Sequence, residues 1–107
     1  MPNQQQYKMK VRSTFFIPQA TLNFHAYGPI SKYDIKRELE LFIEDSYLAG
    51  LREVLIITGQ GYNSPNGPIV RPLVSKLLKQ NKMVASYSIA DSSNGGEGAL
   101  EVILACE

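Results

Sequence analysis

The stretch Val54-Leu55-Ile56-Ile57-Thr58-Gly59-Gln60-Gly61 decides how this chain folds. Its first four residues form a continuous apolar run, largely β-branched, which is typical of a strand buried on both faces of a sheet. The run ends in a glycine-rich turn, and glycine allows backbone N–H groups to point together at an anion. We therefore expect a central strand whose carboxyl end carries the functional edge of the protein.

Two amphipathic helices are predicted around this strand. Ser31 suits a helix N-cap and Gly50 suits the residue just past a helix, so the first helix should run over residues 31–49. The second helix should begin close to Ile69, because Pro72 is tolerated only in a first turn. The apolar positions of the first helix that we expect to face a core are Ile35, Leu39, Phe42, Ile43 and Leu48.

Three further strands are predicted, at Thr21–His25, Met83–Ile89 and Ala99–Leu104. The last two should form an antiparallel hairpin. The element order is then β-α-β-α-β-β, and two helices can cover only one face of so small a sheet. The predicted fold class is an α/β two-layer sandwich, with a small mixed sheet and both helices on one face.

The length of 107 residues suits a single domain, and 44% hydrophobic residues provide an ordinary core. Residues 1–19 are expected to be an N-terminal arm, pinned to the body by the apolar Phe15-Phe16-Ile17, and residues 20–107 the folded domain.

The single cysteine excludes an internal disulfide. No apolar run reaches the ~20 residues of a membrane span, and the polar first residues do not resemble a signal peptide. We expect a cytoplasmic monomer with no membrane partner.

The net charge of +1 says little about partners, but the charges are unevenly distributed. Residues 1–31 and 68–90 carry Lys and Arg with no carboxylate, whereas five acids gather over residues 34–45. A basic face can hold phosphates, and it can equally be a solvated helix surface.

Candidate chemistry gathers at the carboxyl ends of the first two strands. His25 ends the first strand, Gly59 and Gly61 follow the second, and a helix N-terminus lies nearby, which together could cradle a phosphate. The loop lacks the Gly-Lys-Ser/Thr of a Walker motif and the third glycine of a dinucleotide fingerprint. A plain turn and a histidine that only packs at a strand end remain open alternatives. One histidine and one cysteine make a zinc site implausible.

Loop residues offer further contacts. Glu97, between Gly96 and Gly98, could orient a water or could be an ordinary turn acid. Tyr62 could stack on a base and Ser64 could donate to a phosphate, although both also suit a plain loop.

Three motifs make residues 21–104 resemble the Smr (small MutS-related) domain. The first is Leu-Asp-x-His-Gly in that family and is Leu22-Asn23-Phe24-His25-Ala26 here. The second is His-Gly-x-Gly, commonly with lysine at x, and is Thr58-Gly59-Gln60-Gly61 here. The third, Gly-Gly-x-Gly-Ala, is complete as Gly95-Gly96-Glu97-Gly98-Ala99.

This resemblance implies a fold like the C-terminal domain of bacterial translation initiation factor 3. It also implies nucleic-acid binding, often with endonuclease activity on DNA or RNA. The family is linked to DNA repair, and some members cleave messenger RNA on stalled ribosomes. Metal dependence differs between members, so Mg²⁺ or Mn²⁺ is a candidate cofactor. The departures fall on the charged motif positions, where this chain has Asn23, Ala26, Thr58 and Gln60.

Three functions follow as hypotheses. In the first, the domain binds DNA or structured RNA with weak or absent cleavage: His25 acts as acid/base or phosphate ligand, the glycines cradle the phosphate, and Arg71 and Lys76 neutralise the backbone. In the second it is a competent endonuclease, with Asn23 hydrogen-bonded to His25 in place of the family's aspartate. In the third it is a non-catalytic module that docks on a protein or the ribosome through its arm and acidic helix.

Overall fold

The computed structural model describes residues 16–59 and 69–106. It contains strands β1 (Ala20–Asn23), β2 (Glu53–Ile57), β3 (Val84–Ile89) and β4 (Ala99–Leu104), with helices α1 (Lys32–Leu48) and α2 (Val70–Gln80). Short 3-10 turns lie at Phe24–Tyr27, Ser92–Asn94 and Gly96–Gly98. Within these two described stretches, neither helix has the length and apolar character required to cross a bilayer.

The four strands form one mixed sheet in the order β1-β2-β4-β3. Strand β2 is parallel to β1 and antiparallel to β4, and β3 and β4 form the expected antiparallel hairpin. The predicted β-α-β-α-β-β order and the two-layer α/β class are therefore confirmed. Both faces of β2 are covered, since Val54 and Ile56 lie in the main core and Leu55 lies in a second cluster, which explains why its apolar run is continuous.

Both helices pack on the same face of the sheet. Alternate residues of β2, Val54 and Ile56, point into the main core. The helices close that core with buried side chains from α1 and α2: Ile35, Leu39, Ile43, Val70, Val74 and Leu78. Ser31 caps α1 as predicted, since its Oγ accepts a hydrogen bond from the Asp34 N–H.

Two sequence expectations about the ends of elements were wrong. Leu48 does not face the core but is 71% exposed. It lies nine residues after Leu39, which at 100° per residue places it about 180° around the helix. Strand β1 ends at Asn23, so His25 lies in the following 3-10 turn and not in a strand.

The opposite face of the sheet carries a second, smaller cluster. Phe16 packs there against Leu55, Ala90 and Ala99, as expected of an anchor, whereas Ile17 is exposed. Gln19 ties the same segment to the sheet, because its side-chain oxygen accepts hydrogen bonds from two consecutive backbone N–H groups at residues 52 and 53. The division into an arm over residues 1–19 and a domain over 20–107 stays a prediction.

Two leucines on α1 provide a test of this packing. Leu39→Ala should lower the free energy of unfolding by about 2–5 kcal/mol, because it leaves a cavity in the core. Leu48→Ala should change it by less than about 0.5 kcal/mol, because that side chain is exposed. Urea denaturation followed by circular dichroism measures both, and equal effects of the two substitutions would contradict the packing of α1.

Candidate functional site

The strand register brings three loops to one edge of the sheet. Asn23, the last residue of β1, lies beside Ile57, the last residue of β2. Ile57 in turn lies opposite Ala99, the first residue of β4. The segments that follow β1 and β2 and the segment that precedes β4 therefore meet, as the sequence motifs predict.

The 3-10 turn after β1 exposes His25. Phe24 is buried and packs edge-on against the Tyr27 ring, with the ring centroids 5.8 Å apart. Because Phe24 points inward, the next side chain, His25, points to solvent. Tyr27 is also 48% exposed and could offer a ring face to a base.

Asn23 holds this turn from its first residue. Its Oδ1 accepts a hydrogen bond of 3.2 Å from the Ala26 N–H, which caps the turn. In the part of the chain that the structure describes, no hydrogen bond joins Asn23 to His25. The expected hydrogen bond between Asn23 and the imidazole is therefore absent from this part of the chain, where Asn23 caps the turn that contains His25.

The Gly98 carbonyl joins the second motif to the third. It accepts hydrogen bonds from the Thr58 N–H at 2.9 Å and the Gly59 N–H at 3.0 Å. The Thr58 hydroxyl donates to the Gly59 carbonyl at 3.0 Å and lies 3.4 Å from the Gly98 carbonyl. This cluster continues the β2–β4 ladder past the end of both strands.

These bonds change the roles expected of Thr58 and Gly59. Thr58 is 2% exposed, so its side chain is buried against the Gly59 carbonyl and does not face a ligand. The Gly59 N–H already has an acceptor within the protein, so it is not a free donor for a phosphate. A buried hydroxyl that satisfies a backbone carbonyl fits the requirement that interior polar groups be paired.

The loop between β3 and β4 is held by two acids that sequence reasoning missed. The Asp91 carboxylate accepts hydrogen bonds from the Ser93 N–H and hydroxyl, and the Asp91 carbonyl accepts from the Asn94 and Gly96 N–H groups. Glu101 on β4 accepts from the Asp91 N–H and the Asn94 side chain. An Asp-Ser-Ser run before a glycine pair signals such a turn in the sequence.

Arg71 joins the first turn of α2 to the third motif. Its guanidinium donates a 2.8 Å hydrogen bond to the Glu97 carbonyl, and the residue is half-buried. The Glu97 side chain itself is exposed. The Arg71 contact places the N-terminus of α2, the positive end of its dipole, at this edge, and the N-cap residue Ile69 provides no side-chain cap. Lys76 is exposed but lies about 140° around α2 from Arg71, and it does not share that face.

Four of the predicted contact residues lie outside the described residues: Gln60, Gly61, Tyr62 and Ser64.

The donor set at this edge does not form a metal centre. Among residues 16–59 and 69–106, no group of three or more His, Cys, Asp or Glu side chains lies together. The described residues therefore do not fit a site that holds Mg²⁺ or Mn²⁺ by protein ligands alone. What the edge can offer is one exposed imidazole, one guanidinium and a helix N-terminus, which suits contact with phosphate groups.

The two neighbouring glycines of the third motif should differ in their tolerance of a side chain. Gly95 has φ +113°, and a Cβ added there would lie 3.0 Å from the Ala99 Cβ, whereas Gly96 has φ +56° and open space around it. We expect Gly95→Ala to cost about 2–3 kcal/mol of unfolding free energy and Gly96→Ala about 1 kcal/mol. Denaturant unfolding measures the pair, and equal costs would contradict this loop geometry.

Asp91 should titrate below the ordinary range of an aspartate. The Ser93 hydroxyl and then the Ser93 N–H stabilise the charged form and lower the pKa of Asp91. Because the folded pKa is depressed, the loop gains stability above the unfolded pKa and loses it as the pH falls through the folded value. Ser93→Ala should raise the Asp91 pKa measured by carbon-detected NMR. Ser92→Ala keeps its backbone N–H and should leave the pKa unchanged, so an equal response to both would contradict the hydroxyl's role.

Comparison with known proteins gives one family. Residues 28–105 match the family model of the Smr domain. The chain is 37% identical over 71 residues, 66% of its length, to the endonuclease MutS2 of Caldanaerobacter subterraneus subsp. tengcongensis. It is 42% identical over 66 residues, 62% of its length, to the endonuclease MutS2 of Lactobacillus johnsonii. Each match spans only 8% of the relative's own length.

Solved structures give the same result. The stand-alone small MutS-related protein YdaL of Escherichia coli superposes with a TM-score of 0.72 at 32% identity, covering 97% of this chain and 79% of that one. The Smr domain of Thermus thermophilus MutS2 superposes with a TM-score of 0.66 at 20% identity, covering 84% of this chain and all of that one, which is evidence for the fold alone. On the family match and these relatives, the chain belongs to the Smr domain family.

Proposed function

We propose that this domain binds DNA or structured RNA at the edge where its three motifs meet. The observation that carries the proposal is that hydrogen bonds join the second motif, the third motif and α2 at this edge. Gly98 joins the second and third motifs, Arg71 ties the third motif to the first turn of α2, and His25 is exposed on the turn that follows β1. An edge with an imidazole, a guanidinium and a helix N-terminus is complementary to the repeated phosphates of a nucleic acid.

Binding is better supported than cleavage. General acid–base catalysis contributes about 10²–10⁴ in rate and needs a correctly oriented base. The family's aspartate is Asn23 here, whose side-chain oxygen is engaged by the Ala26 N–H. His25 would then contact the phosphate as a hydrogen-bond donor, and any catalysis would depend on this one imidazole.

The relatives support a nucleic-acid function of some kind. The curated matches are named endonucleases, but the aligned region is a small part of those proteins. Cleavage by this chain, a preference for DNA or RNA, a link to DNA repair or the ribosome, and a cytoplasmic location all remain proposals.

Two substitutions on α2 test the binding edge. Arg71→Gln and Lys79→Gln each remove one positive charge from α2, the first at the proposed edge and the second in the last turn of the helix. Binding to labelled duplex DNA and to an RNA hairpin is measured by fluorescence anisotropy at several salt concentrations. Arg71→Gln should weaken binding several-fold and reduce the salt slope by about 0.7–0.9. Lys79→Gln should behave like the unsubstituted chain.

Cleavage is measured with the same protein preparations, on supercoiled plasmid and the RNA hairpin, with and without Mg²⁺ or Mn²⁺. Salt-dependent binding without cleavage is the expected result. Cleavage that disappears in His25→Ala would instead support a competent endonuclease, and a gain of cleavage in Asn23→Asp would show that the lost aspartate limits the reaction. If neither nucleic acid binds at low salt, or if Arg71→Gln and Lys79→Gln act alike, the proposed edge is wrong.

A further inference from the structure

Helix α1 carries a second apolar stripe on the side away from the core. Tyr33 is 72% exposed, Leu41 is 48% exposed and Leu48 is 71% exposed. With Arg37 and Glu44 between them, these residues fall within about 80° of the helix circumference. The arc lies opposite the buried face that includes Leu39 and Ile43. Single exposed apolar residues are common, but here three of them are aligned on one side of the helix, about two turns apart, with one charged residue in each interval.

The charges along α1 are divided between its two halves. Residues 32–37 carry three cations and one carboxylate, whereas residues 38–48 carry four carboxylates and no cation. Arg37 is placed on the stripe itself, with its guanidinium 5.9 Å from the centroid of the Tyr33 ring. Its ion pairs are with Asp34 and Glu38 of the same helix and are solvent-exposed, so they contribute little to stability.

Two copies of α1 that run in opposite directions present complementary surfaces to each other. In an antiparallel pair of α1 helices centred on Leu41, the Tyr33 of one copy lies opposite Leu48 of the other. Arg37 then lies opposite Glu44 and Asp45 of the second copy, and the two Leu41 side chains meet at the two-fold axis. A parallel pair would instead place Arg37 against Arg37 and Glu44 against Glu44, which is electrostatically unfavourable.

We propose that the α1 stripe is the interface of an antiparallel homodimer, and not a solvated surface of the monomer that the sequence suggested. A two-fold interface must place the same patch on both copies, and the stripe has this property. A single pair of 17-residue helices buries less than the roughly 1,200–2,000 Å² of a stable interface. The dimer is therefore weak and forms only at high protein concentration.

Sedimentation equilibrium of the full chain, from about 10 µM to about 2 mM, tests this proposal. The weight-average mass should rise toward twice the monomer mass. Leu41→Lys should shift the rise to about tenfold higher concentration or beyond, because two like charges would meet at the axis. Ile89→Lys is the matched control: Ile89 is 49% exposed but lies on β3, so the dimer should persist.

A charge exchange tests the antiparallel register. Arg37→Glu alone and Glu44→Arg alone should each weaken association, and the double substitution should restore it, with circular dichroism confirming that α1 stays helical. A monomer at every concentration, the same loss in Ile89→Lys as in Leu41→Lys, or no restoration in the double variant would each overturn the proposal. Association only with a different, basic protein would overturn it as well.

Discussion

The pairing of β2 with β1 on one side and β4 on the other is the interaction on which the rest of the structure depends. It places the ends of three separate segments at one edge, with Asn23, Ile57 and Ala99 side by side. The pairing continues past the strands, because the Gly98 carbonyl accepts two further backbone hydrogen bonds. A slip of one residue in either register would turn alternate side chains to the wrong face and would separate the motifs.

Two residues that differ from the family's usual motifs make structural hydrogen bonds at this edge. Asn23 caps the turn that contains His25. Thr58 is buried and bonds the Gly98 carbonyl of the third motif through its N–H. Neither contact requires a charged side chain. The third loop, by contrast, is held by charged groups, namely two carboxylates and the Arg71 guanidinium.

Helix α1 shows how one element can serve two surfaces. Its buried face, with Ile35, Leu39 and Ile43, is fixed by the sheet beneath it. Its outer face is free of that constraint and carries an apolar stripe that runs from the basic half of the helix into the acidic half. In a chain of this size only one face of the sheet is covered by helices, so a large part of both helices is left as surface.

The sequence alone determined the element order, the two-layer architecture, the buried strand β2 and the capped start of α1, because each depends on local periodicity or on a single cap. It also identified all three motifs, since glycine and histidine at fixed spacings are visible without coordinates. Only the tertiary structure decided that the Thr58 and Gly59 N–H groups pair with the Gly98 carbonyl and that Arg71 bonds the Glu97 carbonyl. These partners are far apart along the chain, and no local pattern specifies which of several possible hydrogen bonds a group will make. The Asn23 cap and the exposed position of Leu48 are local features, which the spacing of the residues already indicates.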